Sequence, residues 1–370
     1  MDFELSEEQE LLRRGLRGLL ERACDIRHVR AVAYDGDGRD PDVWRALADA
    51  GWTAVAVPEA QSGAGLRFED LVVVVEEAGR ALLPLPLTTT LVAARAIAHA
   101  PESASRNDLL SRIARGDVSV TLALRAAAGD RDGRPSCAAR NDDAGWRLDG
   151  GCAFVPHGPR AHVALVEAAL PGGPGLFVVP GDAPGVSWAD LDVMDRTTPQ
   201  YEMTVDGVAL PAGASLHAEG AAADPIEALA DEWRAALAAE SLGVAQRLLE
   251  LTVAYAKERV QFGRPIGANQ AVKARVADMG GAVERMRAAV YHAAVKIDAG
   301  ADDRALAVSM AKAATAEPGA FVGSQAIHVH GGVGYTWEHD VHLYFKRLKS
   351  NELLLGDGTE HLVRIADAVL

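Results

Sequence analysis

Histidines, a glycine cluster and one carboxylate are the groups whose type and spacing suit them to chemistry. The pairs His328-x-His330 and His339-x-x-His342 have a separation at which imidazoles converge on one ion. No third and fourth ligand type is placed convincingly beside them, and His330, beside the glycine pair that follows it, reads as a packing or cofactor-contact residue, with His328 a cofactor-binding candidate. In Gly331-Gly332-Val333-Gly334 the missing side chains let the backbone approach a ligand closely. A second glycine-rich stretch, residues 57–65, reads as a turn rather than a phosphate cradle. Glu240 lies in Leu237-Ala238-Ala239-Glu240-Ser241-Leu242-Gly243, among small and apolar neighbours. A carboxylate there is partly desolvated, a condition that suits general-base work. A plain helix-packing role stays open for it, because Glu232 and Glu250 sit on the same stretch.

The elements that must position these groups come in three textures. From Ser6 to about residue 100 the pattern is helical: Ser6-x-x-Gln9 reads as a capping box, and Leu11, Leu12, Leu16, Leu19 and Leu20 recur at helical spacing. Further helices are expected over 40–51 and 68–83, with Pro84 and Pro86 separating the latter from a fourth. Short β-rich runs follow at 118–124, 145–148, 153–155, 163–168, 175–179 and 201–208, divided by Gly, Pro, Asp and Asn clusters, the pattern of an antiparallel sheet or small barrel. Helical stretches return at 226–258, 266–298, 301–314, 317–330 and 338–350. The expectation is an α+β chain with an N-terminal helical domain (1–115), a β-barrel-like domain (116–222) and a C-terminal bundle of four to five helices (223–370).

Composition narrows the function classes. A chain of 370 residues holds more than one small module. Its 49% apolar and 24% charged residues are ordinary for a globular protein. A net charge of −15 opposes a nucleic-acid surface, which needs a basic face. The most apolar run, residues 82–97, contains Arg95, two prolines and three threonines, which opposes a membrane span. The opening Met1-Asp2-Phe3-Glu4 is acidic where a secretion signal is basic. Three cysteines, Cys24, Cys137 and Cys152, at no metal-ligand spacing fit a reducing cytoplasm.

The most specific motif is Arg259-Val260-Gln261-Phe262-Gly263-Arg264-Pro265-Ile266-Gly267-Ala268-Asn269-Gln270, followed by Ala277-Asp278-Met279. About 70 residues later comes Gly331-Gly332-Val333-Gly334-Tyr335-Thr336-Trp337-Glu338. The two segments resemble those with which the acyl-CoA dehydrogenase family grips FAD. Gly51-Trp52, Val57-Pro58-Glu59, Glu76-Glu77-Ala78-Gly79-Arg80 and residues 146–158 extend the resemblance over essentially the whole chain. It implies that family's fold, FAD as cofactor, an acyl-CoA substrate and an electron-transfer flavoprotein or similar acceptor. It also implies a homodimer or homotetramer, or a heterotetramer with a paralogous subunit. Residue by residue, Arg259 would bind the FAD diphosphate, a task that suits a guanidinium fork. Gln261 belongs to the same motif, Phe262 would pack on the adenosine half and Gln270 would lie near the adenine. Gly331, Gly332 and Gly334 would line the cofactor, and Thr359 would face the flavin side.

Departures from the family pattern bear on catalysis. The family's Glu-Gly-Thr triplet is Asp357-Gly358-Thr359 here, one methylene shorter, and proton abstraction tolerates only about half an ångström of misplacement. Other branches place the base on the first helix of the C-terminal domain, where this chain has Glu240; Glu240 is therefore the first candidate base and Asp357 the second. His328 replaces a glutamine three residues before the glycine pair, and Phe154-Val155-Pro156 stands where Trp-x-Thr contacts flavin. No Gly-Ser-Asp follows the first strand. If 231–258 is one helix, its rise separates Glu240 from Arg259 by about 28 Å. The two would then serve different ends of one FAD or two sites across a dimer, and the family's habit of sharing FAD between subunits favours the second. The implied reaction is FAD-dependent α,β-desaturation of an acyl-CoA thioester. The alternatives are a non-catalytic or half-site partner in a heteromeric enzyme and a flavin-dependent monooxygenase on the same fold.

Overall fold

The computed structural model describes residues 5–124, 137–142, 145–218 and 220–370. Helix α1 (Glu7–Ala23) opens on the expected capping box: the Ser6 hydroxyl accepts from Gln9 N at 3.2 Å, and the Gln9 side chain accepts from Ser6 N at 3.1 Å. Helix α2 (Ile26–Arg30) continues into a π turn through Asp35. Asp40 caps α3 (Pro41–Asp49), its carboxylate accepting from Val43 N at 3.0 Å, with Pro41 at the first helical position. The glycine-rich stretch that follows spends its main-chain donors on itself: Gly63 N on Pro58 O, Ala64 N on Ala54 O and Gly65 N on Val57 O. It is a turn. Helices α4 (Phe68–Arg80), α5 (Leu87–His99) and α6 (Ala104–Ala114) complete this stretch.

Among the described residues seven strands follow: β1 (Val120–Ala123), β2 (Cys137–Asp142), β3 (Gly145–Pro156), β4 (Val163–Leu170), β5 (Gly173–Pro180), β6 (Val186–Asp190) and β7 (Gln200–Leu210). They form one sheet in the order β1-β4-β2-β3-β7-β6, with β5 paired to β4. The sheet is mixed, where strand alternation suggested antiparallel pairing throughout. β1 runs parallel to β4, with Val120 opposite Val163, and β2 meets β4 in parallel through Cys137 and Ala168. Alternation fixes which face of a strand is buried and leaves partner and direction open. Leu148, Val166, Phe177, Met203 and Val208 form the centre of its core, and Trp146 meets Phe177 edge-on with centroids 5.1 Å apart. Residues 125–136, one residue beyond β1, where the family pattern has Gly-Ser-Asp, lie outside the described residues.

Past the sheet, α7 (Ala223–Glu258) is a single helix of 36 residues, and a small hairpin of β8 (Val260–Gln261) and β9 (Arg264–Pro265) follows it. Then come α8 (Gln270–Asp298), α9 (Arg304–His330), α10 (Val341–Leu353) and α11 (Gly358–Val369). Two expectations change. The helices expected over 301–314 and 317–330 are one, α9, which runs through Pro318. An interior proline normally breaks a helix, but Thr315, Ala316, Gly319 and Val322 on either side of it are buried, and that packing keeps the axis continuous. The segment after Asp357, assigned no element from sequence, is a helix.

The chain divides into two compact units. One contains Met1–Val29, Phe68–Leu83 and Arg234–Leu370; the other contains Arg30–Arg67 and Pro84–Trp233. Within the first unit α4 crosses α7 on two glycines: a Cβ on Gly243 would sit 1.8 Å from Glu76 O, and one on Gly79 would sit 2.2 Å from Glu240 O. Main chain meets main chain there. No described helix is long and apolar enough to cross a membrane.

Candidate functional site

The α4 segment Glu76-Glu77-Ala78-Gly79-Arg80 carries charge into the interior of the first unit. The Glu76 carboxylate accepts from Arg287 Nη1 at 2.8 Å and Tyr291 OH at 2.9 Å. The Glu77 carboxylate accepts from Arg17 at 2.8 and 2.5 Å, and Arg80 Nη1 lies 2.6 Å from Glu250. Burial pushes the Tyr291 hydroxyl well above its ordinary pKa, so it stays a donor to Glu76.

Glu240 belongs to the same interior. Its residue is 6% exposed, and its Oε1 accepts from Arg347 Nη1 at 2.5 Å and Asn351 Nδ2 at 3.3 Å. Along α7 its neighbours are apolar as expected, with Ala238, Ala239 and Leu242 buried. A guanidinium that the local sequence does not announce comes from α10, 107 residues further along the chain. Arg347 and Asn351 sit one helical turn apart and reach the same oxygen.

The turn from α10 into α11 is held from below. Lys312 on α9 donates to the carbonyl oxygens of Asn351 (2.6 Å), Glu352 (3.3 Å) and Leu354 (2.9 Å), closing the C-terminus of α10. Burial, then the nearby Arg234, brings its pKa down to about 7. His361 is fully buried with Nε2 3.2 Å from Leu355 O, and burial, then Lys312 and Arg234, pushes its pKa down to about 3. Above these groups Asp357 is exposed and caps α11, its carboxylate accepting from Glu360 N at 2.9 Å. Thr359, in the first turn of α11, is exposed too.

The two motif segments form a contrasting, open surface of this unit. Arg259, Gln261, Arg264 and Gln270 are exposed, and Phe262 at the tip of the β8–β9 hairpin is 97% exposed. The tip residues Phe262 and Gly263 have φ of +53° and +77°, the left-handed pair that suits a tight hairpin and aims the phenyl ring outward. Gly331 (φ +64°) ends α9, and a Cβ on Gly331 or Gly332 would meet no atom within 4 Å. Beyond them Val333, Tyr335 and Trp337 are 42%, 77% and 51% exposed. His328 is exposed on the last turn of α9, whereas Gly334 is buried. A guanidinium, an uncovered ring and unobstructed glycines make a donor set and a shape that fit a dinucleotide cofactor.

The remaining sequence candidates fall elsewhere. Phe154 lies in the second unit, 40% exposed with φ +58°, in the irregular stretch of β3 between Cys152 and Val155. The Pro156 carbonyl that follows accepts from the Thr121 hydroxyl. The histidine pairs separate: His330 and His339 pack ring to ring, His342 stacks on Trp337, and His328 is exposed to solvent. Among the described residues no group of three His, Cys, Asp or Glu side chains is placed to hold a metal ion. Sequence reasoning missed Arg347, Asn351, Lys312 and His361; the available signal was polar side chains recurring on helix faces otherwise made of Leu, Tyr, Ala and Val.

Known proteins resemble this chain in sequence and in fold. Residues 6–117 match the model of the acyl-CoA dehydrogenase N-terminal domain, and residues 225–370 match that of the C-terminal domain. Acyl-CoA dehydrogenase IpdE2 of Mycolicibacterium smegmatis is 33% identical over 362 residues, 98% of either chain. Among solved structures, a point variant of the Tcur3481-Tcur3483 steroid ACAD superposes with a TM-score of 0.89 at 38% identity, covering 98% of both chains. The ChsE4-ChsE5 complex from Mycobacterium tuberculosis superposes with a TM-score of 0.91 at 30% identity, covering 100% of this chain and 99% of that one. With both family domains matched and a third of the residues identical over nearly the full length, the chain belongs to the acyl-CoA dehydrogenase family of FAD-dependent oxidoreductases.

Proposed function

We propose that the chain is one subunit of an oligomeric enzyme that introduces an α,β double bond into an acyl-CoA thioester, and that its open face holds part of the FAD. The observation that carries this is the joint exposure of Phe262, Tyr335 and Trp337 on the two motif segments of one unit. The rings of Phe262 and Tyr335, 97% and 77% exposed beside a guanidinium and the bare Gly331 and Gly332, mark a face that something else completes. Arg259 would hold the diphosphate, Phe262 and Gln270 the adenosine half, and Gly331 and Gly332 the chain between, while the buried Gly334 serves the fold of the turn. Gln261 and His328 flank these groups, and Thr359 and Phe154 stay candidates for the flavin end. FAD supplies hydride acceptance from the substrate β carbon, and an electron-transfer flavoprotein or similar cytoplasmic acceptor would take the electrons on.

The α proton needs a base, and the chain offers Glu240 and Asp357. Glu240 is committed to Arg347 and Asn351, and Asp357 to the α11 N-terminus. These commitments favour a second reading, in which this subunit holds FAD and a paralogous subunit contributes the base. The 38% identity to a steroid ACAD supports a bulky polycyclic acyl group as substrate class. The test is to purify the chain alone and with any neighbouring paralogue, record the flavin spectrum, and follow acyl-CoA-dependent bleaching with Glu240→Gln and Asp357→Asn. A lone chain that binds FAD and bleaches until one of these substitutions is made supports an independent enzyme. FAD retained only in the mixed assembly, with both variants active, supports the partner reading. No FAD in either preparation defeats both.

A further inference from the structure

His330 directly precedes the second segment of the open face and packs on Tyr255, one helical turn before the first segment, although the two segments are about 70 residues apart in sequence. Its residue is 4% exposed. Tyr255, one helical turn before Arg259 at the end of α7, stacks on the imidazole with centroids 4.3 Å apart and planes 26° apart. His339, beyond the glycine turn, meets the same imidazole at 4.6 Å and 62°, and lies 6.3 Å from the Tyr255 ring, nearly perpendicular to it. His330 Nδ1 is 2.7 Å from Ala326 O, one turn back on α9, a geometry that assigns the proton to Nδ1. The Tyr255 hydroxyl reaches the His330 carbonyl at 3.4 Å. The glycine turn folds back over the residue: a Cβ on Gly334 would lie 3.0 Å from the His330 Cβ.

The C-terminus of α7, the C-terminus of α9 and the far end of the glycine turn therefore meet on one imidazole. Burial and the neighbouring His339 hold its pKa below the ordinary histidine value, so the ring stacks as a neutral group. We infer that His330 is a positioning residue that couples the hairpin bearing Arg259 and Phe262 to the turn bearing Gly331 and Gly332, so that the two present themselves to a cofactor as one rigid surface. A cofactor that spans both segments then meets one preorganised site rather than two independently moving ones. The inference rests on the FAD reading for its purpose, while the coupling itself is a property of the chain without ligand.

Two measurements on the full chain, in the assembly in which it purifies, separate these. In hydrogen exchange of the ligand-free protein, His330→Ala speeds exchange in both residues 259–264 and residues 331–340, whereas His330→Phe, which keeps a stackable ring, leaves both near wild type. In FAD titration followed by flavin fluorescence, His330→Ala weakens binding about tenfold, the size of one lost ring stack. His330→Phe stays within about threefold of wild type, and the double variant Tyr255→Ala/His330→Ala is no weaker than the worse single variant. Faster exchange confined to residues 331–340 overturns the coupling and leaves a local packing role. A His330→Phe protein as impaired as His330→Ala overturns the assignment to the ring. If the wild-type protein binds no FAD, the FAD reading fails, and the exchange experiment still decides whether the two segments move together.

Discussion

One helix carries both extremes of this molecule. Near its middle, α7 places Glu240 at 6% exposure with a guanidinium and an amide on one oxygen; at its end, the following hairpin displays Phe262 at 97% exposure. Inside, polar groups face apolar walls but hold named partners: Glu76 with Arg287 and Tyr291, Glu240 with Arg347, and Lys312 with three carbonyls. Outside, apolar rings face water. The difference teaches where to look for stability and where to look for binding. Cutting an inner pair leaves an uncompensated charge and costs folding free energy, while trimming an outer ring leaves the fold intact and costs only what the ring would have touched.

The largest effect expected is that of Arg347→Met. It strands the Glu240 carboxylate in the interior and lowers stability by about 3–5 kcal/mol, read from the midpoint of urea unfolding. Glu240→Met added to it recovers most of the loss, and a double variant no more stable than the single one breaks the claim that Arg347 is the main charge that offsets the buried Glu240.

Next is the pH dependence set by Lys312. Its folded-state pKa, about 7, lies below its unfolded value. Between them the unfolded chain binds the extra proton, so the burial penalty is present in full below pH about 7 and is relieved as pH rises towards the unfolded value, by up to about 1.4 kcal/mol per pH unit. The difference in stability between wild type and Lys312→Met should therefore move in favour of wild type across that window. A difference that is flat with pH removes Lys312 from the set of strained inner charges.

Phe262→Ala sharpens the other half of the comparison. Stability should stay within about 0.5 kcal/mol of wild type, while FAD affinity falls about tenfold, the measure of one lost aromatic contact. A loss of stability instead would mean that the ring has an inner partner. The smallest effect is that of Asp357→Ala, which removes the α11 cap seen at Glu360 N and costs about 1 kcal/mol in thermal unfolding.

The order of helices, strands and helices is legible because each texture has its own period, and the Arg259 and Gly331 segments because they resemble those of the acyl-CoA dehydrogenase family. Which interior partners those elements bring together is not. Nothing near Glu240 in sequence announces Arg347, since the pair forms only when α10 packs on α7, and a helical period identifies a buried face without saying what it faces. Strand direction escapes for the same reason: the alternation of β1 and β4 is the same whether they pair parallel or antiparallel. Pro318 misleads because local propensity argues for a break that the packing on both sides overrides. Helix α11 escapes although Asp357 followed by Glu360 three residues later is a helix-start signal, because the same aspartate reads as a reacting group.

The outward ring of Phe262 bears finally on the fate of newly made chain. A phenylalanine with φ +53° and almost no cover holds a strained backbone, and with Val260, Val333, Tyr335 and Trp337 it shows water a set of apolar side chains suited to indiscriminate sticking. On the proposed reading, that face is a solubility liability until a cofactor or another subunit arrives, and the stock of usable protein in a cell would be governed by the supply of whatever covers it as much as by the rate of synthesis.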